Sequence, residues 1–210
     1  MIGLMLLIMV VRFFYLPYDP DAMDTPNILQ FFSAAHPLGT DQFGRDILSR
    51  IMEGTRVSFL VGALTVVFGL VVGGTIGSIA GYYGGKSDEG IMKLIDTQMA
   101  FPGVLLALML IAVFGNSLQN LILALGVMSI PRFARISRSG FIKYRDAEFI
   151  KAARSRGAGD GRIIFLHILP NIVPELIVTS SLGFAGAVMS EAGPPYLGLG
   201  IQPPTPSFGK

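Results

Sequence analysis

The chain has 210 residues, of which 51% are hydrophobic and 14% charged, with no cysteine. Roughly 25% charged residues are usual in a soluble domain, so the composition excludes one and makes a lipid bilayer the natural solvent. Without cysteine there is no disulfide framework, thiolate metal site or cysteine nucleophile, and the net charge of +2 points to basic cytoplasmic loops rather than to nucleic acid.

The first apolar stretch, Ile2 to Leu16, is interrupted only by Arg12. As a helix it would be about 22 Å long against roughly 30 Å of hydrocarbon, which predicts a clipped spanning helix over 1–16 with its missing part before Met1. A signal peptide would need a basic region ahead of the apolar run and a small-residue cleavage site after it, and neither is there. Residues 17–56 are polar, broken by Pro17, Pro20, Pro26 and Pro37, and carry six acids against three bases. They read as an exposed loop.

Val57 to Gly81 is free of charge for about 25 residues, long enough to cross with some tilt. A polar turn with Lys86, Asp88 and Glu89 leads to an apolar run from Lys93 to Phe114, with a kink expected at Pro102. After Gly115 to Ser117 the chain is apolar again from Leu118 to Ile130, so these two runs predict a tight helical hairpin. Between Pro131 and His167 lie nine of the sixteen basic residues against three acids. The last apolar block, Ile172 to Met189, is followed by the Gly/Pro-rich tail EAGPPYLGLGIQPPTPSFGK.

These blocks predict an all-α, polytopic integral membrane protein with five spans. The positive-inside rule puts 132–167 and the turn at Lys86 in the cytoplasm and 17–56 outside. Alternation over five spans then puts the amino terminus inside and the final residues outside, the finish of a chain lacking a sixth helix.

Several motifs carry competing readings. Gly69, Gly73, Gly77 and Gly81 form a small-residue face that lets helix backbones approach closely, as a pore-lining or subunit-contacting surface or as ordinary packing within the chain. The stretch AGYYGGKS at 80–87 imitates a phosphate-binding loop, but a working one follows a buried strand in an α/β domain, and here it follows a membrane span. Asp96, Glu175 and Glu191 sit near ends of apolar blocks, where a relay acid competes with plain solvation; Asp96 is spaced to pair with Lys93, and the other two are expected within reach of water. His36 and His167 belong to no metal or catalytic motif, and His36 beside Pro37 reads as a turn residue. No metal site is expected.

The stretch 146–171, DAEFIKAARSRGAGDGRIIFLHILPN, is the informative one. Ala147, Ile150, Ala152 and Ala153 can follow one another around a short helix stopped by Gly157, making a small, nearly smooth knob flanked by Arg and Lys. Such a knob suits a socket on another protein. A basic loop held on anionic lipid headgroups explains the charges but neither the alanines nor the glycine.

Here the chain resembles the permease subunits of bacterial binding-protein-dependent ABC importers, in the dipeptide/oligopeptide/nickel branch. The family's cytoplasmic loop reads Glu-Ala-Ala, three residues, Gly, nine residues, Ile-x-Leu-Pro. Lys151-Ala152-Ala153, Gly157 and His167-Ile168-Leu169-Pro170 match that spacing, with Lys151 in the Glu position and His167 in the first Ile position. Further matches are HPLGTDQFGRD at 36–46, GYYGGKSDEGIMKLID at 81–96 and LGLGIQPPTPSFG at 197–209, while EAGPPYLGLG departs from an EASLSFLGLG-like form.

The resemblance implies a six-span family form with the last helix absent here, and a permease core over 57–210 that includes the loop 132–171. It implies a translocation path for dipeptides, oligopeptides or nickel in the bacterial inner membrane, shared with a homologous second permease. Two cytoplasmic ABC ATPases would hold the ATP and magnesium, and a periplasmic or lipid-anchored solute-binding protein would deliver solute. This chain would be no enzyme and bind no cofactor. Its ATPase-coupling residues would be Ala147, Glu148, Ile150, Lys151, Ala152, Ala153, Arg154, Gly157, His167, Leu169 and Pro170, with Pro170 and Pro174 redirecting the chain into its last span. From other classes, the rivals are a proton-coupled or channel-like transporter and a non-transporting scaffold.

Overall fold

The computed structural model describes residues 2–191 and Gly193, with backbone alone for residues 2–6. Seven helices follow in order: α1 (Ile2–Phe14), α2 (Ile47–Tyr83), α3 (Gly85–Ala100), α4 (Gly103–Phe114), α5 (Leu118–Arg145), α6 (Glu148–Ser155) and α7 (Asp160–Glu191). Of the Gly/Pro-rich tail at 191–210, Ala192 and the seventeen residues from Pro194 to Lys210 lie outside the described residues.

α2 begins ten residues ahead of the apolar block because its cap lies at Asp46. Asp46 Oδ2 accepts from the backbone N–H and the hydroxyl of Ser49, both at 2.8 Å, satisfying donors that a helix start leaves orphaned. Asp46 Oδ1 lies 3.0 Å from His36 Nδ1. His36 therefore anchors the preceding loop to the helix cap, and Tyr18 stacks on its ring at 4.7 Å.

α5 runs parallel to α2 along the glycine stripe. A methyl built on Gly73 would fall 2.5 Å from the carbonyl of Ile130, and one on Gly81 would fall 2.6 Å from that of Arg138, with Gly69 facing Ser129 ahead of them and Gly77 facing Ala134 in between. The two backbones are in contact because no side chain separates them. α7 returns antiparallel, with Ile172 against Gly140 near one end and Phe184 and Val188 against Gly62 nearer the other. Val61, Ala107, Leu121 and Leu125 fill one core cluster. Phe133, Phe141, Ile150, Ile163 and Ile172 fill a second, at the end from which α6 projects.

The expected five spans are corrected by the helices themselves. Among the described residues two helices are long and apolar enough to cross a membrane, α2 with 37 residues and α7 with 32; a third crossing is counted only if α3 and α4, bent by 86° at Pro102, act as one. α1, with 13 residues, is too short, since about 20 are needed. α5 is long enough, but its second half carries Arg132, Arg135, Arg138, Lys143 and Arg145. A cytoplasmic amino terminus, which rested on the alternation of five spans, loses that support.

The segment after Pro131, expected as a basic loop, is instead the continuation of α5 to Arg145. Proline removes the helical donor to the carbonyl four residues earlier, here Val127. Gln98 Nε2 of α3 donates to that carbonyl at 2.6 Å. α7 likewise passes through Pro170 and Pro174 instead of starting after them, with a π-helical stretch over Ile163–Ile168 closed by a bond from Leu169 N to Ile164 O. Widening the turn just ahead of Pro170 accommodates a residue that cannot donate.

Candidate functional site

α6 is an eight-residue helix held on one side and open on the other. Ile150 is fully buried among Tyr82, Phe141, Ile163 and Ile168, and Ala147 packs against the same cluster as the helix N-cap. Lys151, Ala152, Arg154 and Ser155 are exposed and Ala153 is half-buried. Ile150, with Ala147 beside it, thus fixes the helix, leaving a surface of small and basic residues together with Glu148 and Phe149.

Gly157 stops it. Its φ is +83°, a left-handed conformation that suits glycine. The Ala158 N–H bonds back to Ala153 O at 3.1 Å and the Gly157 N–H to Arg154 O at 2.9 Å, the paired closure of a Schellman motif. On the surface of α6, Lys151 Nζ lies 2.8 Å from Glu148 Oε1. That bond holds the Glu148 carboxyl below its ordinary pKa and raises the Lys151 ammonium.

Four arginines tie α5 and α6 to the helices around them. Arg138 forms a two-pronged pair with Asp88, whose second bond is 2.6 Å, and Arg135 meets Asp96 at 2.6 Å. Asp96 therefore pairs with α5, not with Lys93. Arg145 donates to Gly81 O at 3.0 Å. Arg154 donates to the Tyr82 hydroxyl at 3.1 Å, and that hydroxyl donates to Asp160 at 2.5 Å, so the end of α2, the middle of the basic segment and the start of α7 meet at one oxygen.

Of the other expected coupling residues, His167 and Leu169 are half-buried and Pro170 is exposed on α7, away from the open face of α6. Tyr82, Asp160, Gln98 and the acids of α3 were not among the expected site residues, and only the acid–base surplus of the two segments hinted at their pairing. Glu175 lies 4.0 Å from Lys143. Glu191, expected near water, is fully buried, with Oε2 accepting from Ser58 at 2.7 Å. The stretch 80–87 runs from the last turn of α2 across Gly84 into α3, a helix–helix junction and not a strand–loop–helix cradle. Among the described residues no group of three His, Asp or Glu side chains is placed to hold a metal ion.

The pattern of the family described as binding-protein-dependent transport system inner membrane component matches residues 73–210. The chain is 47% identical over 184 residues to the dipeptide transport system permease protein DppC of Alkalihalophilus pseudofirmus, covering 88% of this chain and 60% of that protein. It is 40% identical over 212 residues to the glutathione transport system permease protein GsiD of Pectobacterium atrosepticum, covering 99% of this chain and 70% of that one. It is 36% identical to the DppC of Haemophilus influenzae, of which it spans 71%. The MetNI methionine ABC transporter, solved in inward-facing conformations, shares the fold with a TM-score of 0.63 at 20% identity, over 72% of this chain and 76% of that one. The chain belongs to the family of binding-protein-dependent transport system inner membrane components, and it is a membrane protein.

Proposed function

We propose that the chain is a transmembrane subunit of an ATP-driven importer of peptides or a related small solute in the bacterial inner membrane. A homologous second permease would complete the translocation path, two ABC ATPases would bind ATP and magnesium in the cytoplasm, and a solute-binding protein would deliver cargo to the other side. The names of its relatives, dipeptide and glutathione permeases, support the solute class.

The observation that carries the reading is α6. It is fixed at the buried Ile150, stopped at Gly157, and joined to α2 and α7 through Arg154, Tyr82 and Asp160. A short helix anchored in this way can pass a push from a docked ATPase to both membrane-crossing helices. Its coupling surface is Ala147, Glu148, Lys151, Ala152, Ala153 and Arg154, ended by Gly157, with His167, Leu169 and Pro170 supporting it from α7. The basic segment from the end of α5 to Asn171 faces the cytoplasm and the acidic loop ahead of α2 faces outward, in keeping with the positive-inside rule. The glycine face of α2 serves packing onto α5.

The test is uptake of a labelled dipeptide by cells carrying or lacking the chain, with ATP and the proton gradient depleted separately. Uptake that needs ATP and survives loss of the gradient is expected. Uptake that follows the proton gradient alone would contradict the proposal.

A further inference from the structure

Between α2, α5 and α7 lies a cavity of about 130 Å³ whose wall includes Thr65, Ser129, Arg132, Gly183, Gly186 and Ser190. Thr65 is the middle residue of α2, so the cavity opens at mid-depth between the two helices that are apolar enough to cross. Arg135 and Arg138, one turn further along α5, are each neutralised by an aspartate. Arg132 has no ion pair among the described residues, and its guanidinium lies about 4 Å from where side chains on Gly183 and Gly186 would begin. The two glycines leave it a bare wall.

A charged side chain at such depth is costly and faces protein interior or a water-filled cavity. Beside it Thr65 Oγ1 is buried without a hydrogen-bond partner, while Ser129 Oγ donates to Gly126 O at 2.7 Å and the Ser190 hydroxyl shares the wall. A planar guanidinium with a hydroxyl beside it matches a carboxylate, which it can take with two parallel bonds. Lipid phosphates lie at the ends of a hydrocarbon layer roughly 30 Å thick, far from the middle of α2.

We infer that Arg132, with Thr65 and Ser190, forms a subsite for a carboxylate of the transported solute on its way through the membrane. The cavity is large enough for the carboxylate end and not for a whole peptide, so the rest of the solute extends through its open side. This rests on the import function proposed above and adds a specificity-determining residue to it.

The chain has no native cysteine, so Ser190→Cys places a single reporter thiol on the cavity wall. The assembled importer in phosphatidylcholine nanodiscs is treated with a sulfonate-bearing and a trimethylammonium-bearing methanethiosulfonate, and labelling of this chain is timed. The anionic reagent is expected to gain about ten-fold over the cationic one, as a focused positive field gives, and Arg132→Gln is expected to abolish that gain while Arg132→Lys keeps most of it. Dialanine is expected to slow labelling, and dialanine amide is not.

A reagent ratio unchanged by Arg132→Gln, or equal protection by dialanine and its amide, would overturn the inference. Phosphatidylglycerol suppressing the anionic reagent by itself would assign the site to a lipid phosphate, and an anion preference found in the isolated chain but lost on assembly would assign it to an acid of the second permease; either overturns the solute subsite. Uptake by the importer without the Ser190→Cys change, in closed vesicles of the same lipid, reads the import function separately. ATP-driven uptake without dialanine-specific protection overturns the subsite alone, and absence of uptake overturns the import function together with the solute assignment.

Discussion

Arg154 of α6 donates a 3.1 Å hydrogen bond to the hydroxyl of Tyr82, the second-last residue of α2. The same hydroxyl donates to Asp160 at the start of α7, so a displacement of α6 reaches both membrane-crossing helices through one side chain. Tyr82→Phe keeps the ring in its buried cluster and removes only this junction. The expected loss is about 1 kcal/mol of stability, read from the unfolding midpoint in detergent, with a larger proportional fall in ATP-driven uptake. Equal uptake in the two proteins would show that the push travels another way.

The glycine stripe separates contact from mere composition. Gly73→Ala would put a methyl 2.5 Å from the carbonyl of Ile130 and force α2 and α5 apart, at a cost of about 1–3 kcal/mol. Gly74→Ala meets only Leu70 Cδ1 at 4.0 Å and should be neutral or gain up to about 1 kcal/mol of helix propensity. Thermal unfolding of the two variants, side by side, checks the contrast.

Gln98 covers a defect that Pro131 creates. Gln98→Met leaves the Val127 carbonyl without its 2.6 Å donor and should cost about 1–3 kcal/mol. Pro131→Ala in the same chain restores the helical N–H and should recover most of that loss. A double variant no better than Gln98→Met alone would dissociate the two residues.

Much of this organisation was legible in the sequence, and the failures have two causes. The charge-free run within α2, the glycine face and the stop at Gly157 are local patterns, and the family motif is the source of the role proposed for α6. The continuation of α5 beyond Ile130 was not legible, because Pro131 and the arginines after it look like a loop until Gln98, Asp88 and Asp96 of α3 are seen to satisfy them. Glu191 looked solvated for the same reason, since its partner Ser58 lies 133 residues away. The span count failed because hydropathy blocks were counted as crossings, whereas α1 is too short and the chain between Gly85 and Phe114 is bent into two helices.

The loop ahead of α2 carries a pH dependence with a definite sign. Burial raises the pKa of Asp41, but bonds from the Arg45 side chain and from the N–H groups of Phe43 and Arg45 outweigh it and leave the carboxyl below its ordinary 3.8. A depressed carboxylate stabilises the fold above its unfolded pKa and loses that contribution as pH falls through the folded one. The loop should therefore stay closed at pH 5 and loosen below pH 3.8, seen as faster amide exchange over residues 39–45. In Asp41→Asn the exchange should already be fast at pH 5 and change little on acidification.

The open face of α6 is expected to receive an ATPase. The most direct measurement is to purify the tagged chain from its native membrane in mild detergent and identify what accompanies it, for the wild type, Ala152→Arg and Gly157→Trp. Ala152 is exposed, so Ala152→Arg leaves the helical core in place, while Gly157→Trp meets no neighbour within 4 Å but strains the left-handed stop of α6 at φ +83°. An ABC ATPase and a second permease are expected with the wild type, and the second permease alone with either variant. Recovery of the ATPase in equal amount with both variants would contradict that docking.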